Sequence, residues 1–394
     1  MRCCLYFQTL DDKKQCVGIY TDGKIYFDDM PDNLKRTWAY TGSIKDDGVQ
    51  YAHIYASGKS LEEACPEELK DEFLESQKKL MSCLKSFHTS KISLREHCIF
   101  DMIPHRFLMQ FCEIRNKITE HVFQNYERPK NYELLSESFK LLHKIKYKEL
   151  NLDVHDCREL QIKEKDRQKV ADLLQTRYVD YNLFGAATGR LTTNKKSFPI
   201  LTIKKKFRRL IKPNNDWFLQ LDYNSADVRT FINLIGEKQP EGDVHEWNVK
   251  NLFGGSCTRE EAKVKFFAWL FNPESDIVQN PRYNRDNILD KWYKNGVISN
   301  PYRRKINVDE RRALSYLVQS TTNDRILDRA IEIDELLKDR RSYISFFIHD
   351  EIAIDFAHED RDLIPQIKNI FESGGFKSNI SVGKNYFDLK EIKL

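Results

Sequence analysis

Short apolar runs separated by turns fill the first sixty residues: Cys4-Leu5-Tyr6-Phe7, then Cys16-Val17-Gly18-Ile19-Tyr20, then Ile25-Tyr26-Phe27. Runs of this length and composition predict strands, and Asp22-Gly23 between the second and third predicts a tight hairpin, because both residues tolerate the positive φ of its turn. From Leu61 the apolar period lengthens to three and four, as in Leu134, Leu135, Phe139, Leu142 and Ile145, which predicts helices over 61–84, 107–123, 132–150 and 166–178. Pro129 and its polar neighbours break the second from the third. A buried strand is predicted over Trp217-Phe218-Leu219-Gln220-Leu221-Asp222-Tyr223, aromatic or leucine at five of seven positions and carrying Asp222 at its end. A helix then runs to Gly236, another opens at Gly242-Asp243-Val244-His245, and a third begins near Thr258, where Glu261 completes a capping-box pattern. Residues 272–308, polar and holding Pro273, Pro281 and Pro301, read as connection rather than core. A helix from Asp309 to about Leu337 leads to two apolar runs around His349-Asp350-Glu351, a predicted hairpin with an acidic tip, and then to a closing strand and helix.

Composition adds limits. A chain of 394 residues, 31% charged and 40% hydrophobic, is long enough for two or three folded domains. No apolar run reaches bilayer-spanning length and the opening residues lack a secretory signal, so the expected location is cytoplasmic, in a bacterium or a phage-infected host, with no membrane partner. Nine scattered cysteines without Cys-x-x-Cys spacing read as reduced thiols, not as a disulfide framework or a zinc site. The net charge of +4 is small, but its placement is uneven: Tyr181 to Asn215 contains no acidic residue, while Arg190, Lys195, Lys196, Lys204, Lys205, Lys206, Arg208, Arg209 and Lys212 fall inside it. Such a run is either a solvated face or a seat for a polyanion, and the apolar anchors Phe198, Ile203, Phe207 and Leu210 favour the seat.

Two segments carry candidate chemistry. Asp222 and Asp350, each delivered to the end of a strand from distant parts of the chain, are the kind of carboxylate pair that two divalent ions need for in-line phosphoryl transfer. On the helix after Thr258, Arg259, Lys263, Phe267 and Phe271 recur every four residues, about 6 Å apart along one face. Two cations followed by two rings suit the phosphates and the base of a nucleoside triphosphate. The other reading is an amphipathic helix whose Phe266, Phe267, Trp269, Leu270 and Phe271 pack in a core.

Taken in order, Asp222-Tyr223 with a carboxylate five residues on, Arg259-x3-Lys263-x3-Phe267-x3-Phe271, and His349-Asp350-Glu351 resemble the three polymerase motifs of family A DNA polymerases, the bacterial polymerase I and phage polymerase group. Thr188-Gly189-Arg190-Leu191, Asp243-Val244-His245 and Arg311-x7-Gln319-x4-Asp324 match as well, so the resemblance covers about residues 180–360. It implies an α+β right-hand fold: a small β-rich N-terminal region at 1–95, either degenerate and exonuclease-like or a docking module; a helical thumb-like region at 96–180; palm at 181–240 and 310–394; and fingers at 241–309. The implied activity is template-directed extension of a DNA primer with dNTPs. Asp222, Asp350 and the Tyr223 carbonyl would bind two Mg2+ ions. Arg259, Lys263 and His245 would hold the triphosphate, with Lys263 also protonating the leaving pyrophosphate. Phe267 would stack on the nucleotide and Phe271 would sit beside the templating base. Arg190 and Gln319 would read the minor groove near the primer end, where His349 and Glu351 position the terminus. Arg311 and the basic residues Lys204, Lys205, Lys206 and Arg208 complete the DNA contacts, and replication proteins are further possible partners.

Departures from the family pattern carry expectations of their own. Asp227 stands where a Glu usually blocks a 2′ hydroxyl. Phe267 lacks a tyrosine hydroxyl at the sugar, which predicts poor use of dideoxynucleotides. Phe271 replaces Tyr and precedes Asn272 instead of Gly, and Ser315 replaces Asn. The stretch Leu5-Tyr6-Phe7-Gln8-Thr9-Leu10-Asp11-Asp12 has no Asp-x-Glu pair, which predicts no 3′ to 5′ proofreading. The alternatives are a single-subunit RNA polymerase or primase-like enzyme, and a catalytically silent nucleic-acid-binding replication subunit.

Overall fold

The structure, a computed structural model, describes the chain apart from residues 1, 9–16, 28–30, 45–47, 94–96, 156–159, 161, 273, 276–282 and 393–394 and the side chains of 8 and 17. Asp11 and Asp12 of the nuclease comparison, together with Cys16, Cys157, Pro273 and Pro281, lie outside the described residues. The chain forms two compact units, Met1–His143 and Lys144–Leu394.

In the first unit, β1 (Leu5–Gln8), β2 (Val17–Thr21) and β3 (Lys24–Tyr26) form an antiparallel sheet. Asp22 and Gly23 adopt φ of 48° and 76° at the predicted turn. The two-residue strands β4 (Arg36–Thr37) and β5 (Gln50–Tyr51) pair in parallel, and α1 (Ala52–Tyr55) follows. Then come α2 (Glu67–Thr89), α3 (His105–Asn125) and α4 (Tyr132–Lys146). The sequence places the start of α2 at Leu61; extended Pro66 delays it to Glu67, since proline suits the start of a helix and disrupts its interior. Leu5, Phe7 and Tyr20 bury against Leu108, Phe111 and Cys112 of α3.

The second unit opens with β6 (Asn151–Leu152), α5 (Glu164–Leu174), β7 (Tyr181–Asn182), β8 (Thr192–Thr193) and β9 (Ile211–Lys212). Its centre is β10 (Trp217–Tyr223), followed by α6 (Ala226–Leu234), α7 (Val244–Asn251), α8 (Arg259–Phe271) and α9 (Arg285–Trp292). A small antiparallel sheet comes next: β11 (Tyr293–Lys294), β12 (Val297–Ser299) and β13 (Lys305–Asn307). The chain continues through α10 (Glu310–Leu336), β14 (Tyr343–Ile348), β15 (Glu351–Phe356), α11 (Ile364–Glu372), β16 (Ser378–Gly383) and β17 (Lys390–Glu391). The main sheet has the order β14-β15-β10-β16-β17, all antiparallel. Its middle strand is apolar on both faces because both are covered: Phe218, Leu219 and Leu221 are all buried. The Tyr181 hydroxyl donates to Phe347 O at 2.6 Å and accepts from Phe347 N at 2.8 Å, closing backbone groups of edge strand β14 that a further strand would otherwise satisfy.

The reading of 272–308 as mere connection is corrected here. Tyr283, Ile288, Ile298 and Ile306 are buried in one cluster with Phe231, Phe266, Trp269, Leu270 and Leu317. Each short strand gives the core so few residues that the apolar alternation could not show in the sequence. Asn295-Gly296, at φ of 51° and 77°, is a hairpin signal that the proline-rich composition masked. Among the described residues, no helix is long and apolar enough to cross a membrane.

Candidate active site

Strand register brings the acidic residues together. Asp222 near the end of β10 lies opposite Glu351 of β15, with Asn379 of β16 on its other side. Asp350 sits in the two-residue tip between β14 and β15, beside His349, whose φ is 54°. Burial raises the Asp222 carboxyl, the charges of Glu351 and Asp350 add to it, and the group is pushed up to about 7. Asp350 is also raised, by burial first, against the opposing pull of its own backbone N–H. Among the described residues nothing donates a hydrogen bond to the Asp222 carboxylate.

Glu351 stands differently. Its Oε2 accepts from Gln220 Nε2 at 2.8 Å and from the Tyr386 hydroxyl at 2.7 Å, while the Tyr386 ring is buried edge-on to Phe218 and Phe346. The acidic group therefore contains one carboxylate pinned by two side chains, one, Asp350, supported only by its own backbone N–H, and one, Asp222, with no donor among the described residues. Among the described residues no set of three or more His, Cys, Asp or Glu side chains converges to enclose a metal unaided. Two carboxylates suffice for Mg2+, which keeps several waters and takes further ligands from a substrate phosphate. The electrostatic deficit at Asp222 is what such a cation would relieve. Tyr223 turns its ring away, stacked on Phe371 at 3.8 Å with its hydroxyl donating to Phe371 O, so that only its backbone remains as a donor.

Asp227, in the first turn of α6, accepts from Thr322 Oγ1 at 3.0 Å and lies 3.5 Å from Arg190 Nη2. Burial raises its carboxyl, with Arg190 and Thr322 opposing. Arg190, Asp227, Gln319, His349 and Asp350, all named from the motifs, line one pocket together with Thr322 and Asn323. Two residues absent from the sequence reading fix this pocket's wall. Asn323 Nδ2 donates to Gly189 O at 2.7 Å, and Gly189, at φ of 77°, lies so close to Arg304 that a Cβ would come within 2.5 Å of the guanidinium carbon. Arg304 is itself held by the buried Asp324 at 2.6 Å. The signal for Thr322 and Asn323 was helical spacing: they stand three and four residues after Gln319, on its face of α10.

Exposure divides the residues of α8. Ala262, Phe266, Trp269 and Leu270 form the buried face, whereas Phe271 is 46% exposed and half-buried Phe267 stacks on it at 5.9 Å. Phe271 is thus outside the core, contrary to the amphipathic reading. Lys263 is exposed. Arg259 is held by Asp243 at 2.7 Å and Glu260 at 2.5 Å. The same Asp243 caps α7 by accepting from the backbone N–H groups of His245 and Glu246 at 2.8 and 3.0 Å. Burial works against the ionised Asp243, but Arg259 and those N–H groups outweigh it, so its carboxyl lies below the ordinary value. His245 is buried beside Phe267, and burial lowers it to about 4, leaving a neutral ring whose Nδ1 has no hydrogen-bond partner.

Other predicted residues lie elsewhere. Arg311 is exposed and pairs with Glu274 at 3.2 Å, outside the pocket lining. Lys204 and Lys205 are exposed, Lys206 donates to Asp166 at 2.6 Å, and Arg208 lies 5.5 Å from the centre of the Tyr386 ring.

No protein-family model matches the chain. A curated DNA polymerase I of Chloroflexus aurantiacus is 21% identical over 277 residues, which is 55% of this chain and 29% of that protein. The chain thus spans less than a third of its relative's length. Among solved structures, the POL domain of Pol1 from M. smegmatis, in complex with DNA primer-template and dNTP, superposes with a TM-score of 0.58 at 14% identity, covering 72% of this chain and 76% of that one. The fold is therefore an α+β polymerase fold. Within that class, sequence and fold agree with the resemblance drawn from the motifs, to family A DNA polymerases of the DNA polymerase I kind.

Proposed function

We propose that this chain is a DNA-directed DNA polymerase that extends a primer 3′ end with dNTPs on a DNA template. The observation that carries the proposal is the pairing of two half-buried carboxylates, without side-chain hydrogen-bond donors, with a helix that presents two cations and a stacked aromatic pair. In this reading the five-stranded sheet is the palm, 241–309 the fingers and 96–180 thumb-like, with 1–95 a degenerate exonuclease-like or docking region.

Asp222, Asp350 and the Tyr223 carbonyl are the residues that would hold two Mg2+ ions. When bound, such ions activate the primer hydroxyl and neutralise charge developing on the phosphates. Arg259 and Lys263 bind the triphosphate, and the ammonium of Lys263 supplies a proton to the departing pyrophosphate. Asp243 orients Arg259 for this task. His245, neutral and with an unpartnered nitrogen, offers a hydrogen bond without another positive charge. Phe267 stacks on the nucleotide and Phe271 packs beside the templating base, while Asp227, drawn toward Arg190 and Thr322, guards the sugar. Arg190 and Gln319 read the minor groove. His349 and Glu351 align the primer terminus, with Glu351 fixed by Tyr386 and Gln220. Lys204, Lys205, Lys206, Arg208 and Arg311 approach the DNA backbone. The chain acts in the cytoplasm of a bacterium or phage-infected cell, without 3′ to 5′ proofreading and in company with replication proteins.

The test is primer extension on a labelled duplex with a 5′ overhang and Mg2+, comparing dNTPs with NTPs and using Asp222→Ala as control. Growth with dNTPs that follows the template and disappears in the variant is expected. Preference for NTPs without a primer would move the assignment to an RNA polymerase or primase, and binding without extension by the native chain would leave a silent subunit.

A further inference from the structure

A second basic surface lies outside the residues so far given a role. From Lys291 to Val308 the chain has no acidic residue and five cations, Lys291, Lys294, Arg303, Arg304 and Lys305, in a protein whose 64 basic and 60 acidic residues nearly balance. Arg304 is spent on Asp324. The others stay at the surface, and the small β11-β12-β13 sheet explains how. Ile298 and Ile306, paired across β12 and β13, point into the core, so alternation turns Lys294, Ser299, Lys305 and Asn307 to the opposite, exposed face. Among the described residues, none of Lys294, Arg303 and Lys305 pairs with a carboxylate, whereas the similarly exposed Arg311 and Arg312 do.

Arg303 gives an independent indication. It has a φ of 64°, a left-handed conformation that disfavours a side chain. The turn that forces it is over-determined: Arg303 N donates to Asn300 O at 2.8 Å, and Arg304 N donates to the Asn300 side chain at 2.9 Å. Asn300 is in turn anchored on Asp324 at 2.8 Å. The backbone from which the exposed cationic side chain springs is thus fixed in place.

Placement selects the partner. The inner face of the sheet shares a cluster with Phe266, Trp269 and Leu270 of α8, and Arg285, at the start of the helix leading into the sheet, donates to Asn272 O just past Phe271. Its other root, Arg304, abuts Gly189 of the pocket wall. The sheet therefore packs on α9 and α10, within the same core cluster as the helix whose exposed end is Phe271. We propose that Lys294, Arg303 and Lys305 form a phosphate-binding face for the single-stranded template entering beside Phe271. This rests on the polymerase reading and extends it to a strand contact that none of its motifs contains.

Affinity for a primer–template with a long 5′ overhang and for a blunt duplex of the same sequence tests this, measured by fluorescence anisotropy across a salt series. The variant is Lys294→Gln, Arg303→Asn, Lys305→Gln, at exposed sites where asparagine tolerates positive φ. Losing three single-strand contacts at ~0.7 each lowers the slope of log affinity against log salt by about 2 for the overhang substrate, with a roughly tenfold loss of affinity, and leaves the blunt duplex unchanged. Equal loss on both substrates, or none on either, overturns the proposal. Lys294→Glu with Lys305→Glu, which leaves the Arg303 turn intact, keeps the test decisive if the triple variant misfolds, and the overhang-specific loss is then expected to be larger. Native chain that extends primers but loses nothing in the variants refutes only this inference; native chain that neither binds nor extends refutes the polymerase reading with it.

Discussion

The two ends of the β10–β15 pair treat their carboxylates in opposite ways. At one end Asp355 accepts from Asn214 N at 2.7 Å, Asn215 N at 2.8 Å and the Tyr343 hydroxyl at 3.0 Å. Burial raises its carboxyl, and those donors oppose the rise. At the other end Asp222 faces Glu351 across the ladder and has two acidic neighbours in place of donors. A satisfied buried carboxylate is part of the scaffold, whereas an unsatisfied one beside like charge is tolerated where something else supplies the missing positive charge. The difference is what the polymerase reading expects of a sheet with chemistry at one end only.

The largest expected effect separates the two ends outright. Asp222→Asn is expected to lower primer extension by about 10³-fold or more, while raising the melting temperature of the metal-free chain at neutral pH, because it removes charge the fold compensates poorly. Asp355→Asn is expected to do the reverse. Its amide NH2 must oppose at least one of the N–H or O–H donors, costing about 1–3 kcal/mol, and ~2–4 °C per kcal/mol in a chain of this kind, with extension nearly unchanged below the melting range. If both variants shift activity and melting alike, the distinction between the ends is wrong.

A pH series sharpens the same contrast. A carboxyl raised to about 7 in the fold binds more protons folded than unfolded above its ordinary value, so its stabilising contribution is present at low pH and lost as pH rises through about 7. The melting advantage of Asp222→Asn over the native chain, both without metal, is therefore expected to grow between pH 5 and pH 8. A constant difference across that range would mean that Asp222 is ionised throughout. The smallest expected effect is at Glu351. Tyr386→Phe removes one of its two donors, and since Gln220 remains, extension is expected to fall by roughly tenfold or less, an energy of ~1.4 kcal/mol or less. Loss as deep as that of Asp222→Asn would show that Glu351 needs the tyrosine for more than placement.

Legibility in the sequence followed the length of each signal. The β10 run and the two runs around His349-Asp350-Glu351 are long enough for their apolar pattern to predict both strands and their acidic ends, and Thr258 with Glu261 closes the capping box expected of them. The α8 stripe was legible as spacing but ambiguous as function, because aromatic residues at helical intervals also describe a core: Phe266, Trp269 and Leu270 are core, whereas Phe271 is exposed. The sheet of β11, β12 and β13 was not legible, since strands of two or three residues show no period. Nor were the donors that hold Glu351. Tyr386 looks like any aromatic residue near a closing strand, and its partner is chosen only when the sheet folds.

The sheet that contains that contact also has an order of assembly. The strand bearing Asp222 is made early, its partners β15 and β16 much later, and the hydroxyl that fixes Glu351 later still. A nascent chain that has passed α8 but not β15 and β16 carries a β10 strand with unpaired edges, a state prone to association. Because these pairings are distant in sequence, closing the sheet is expected to be a slow folding step. The carboxylate pair at the end of β10 is therefore assembled only after β15 and β16 have been made.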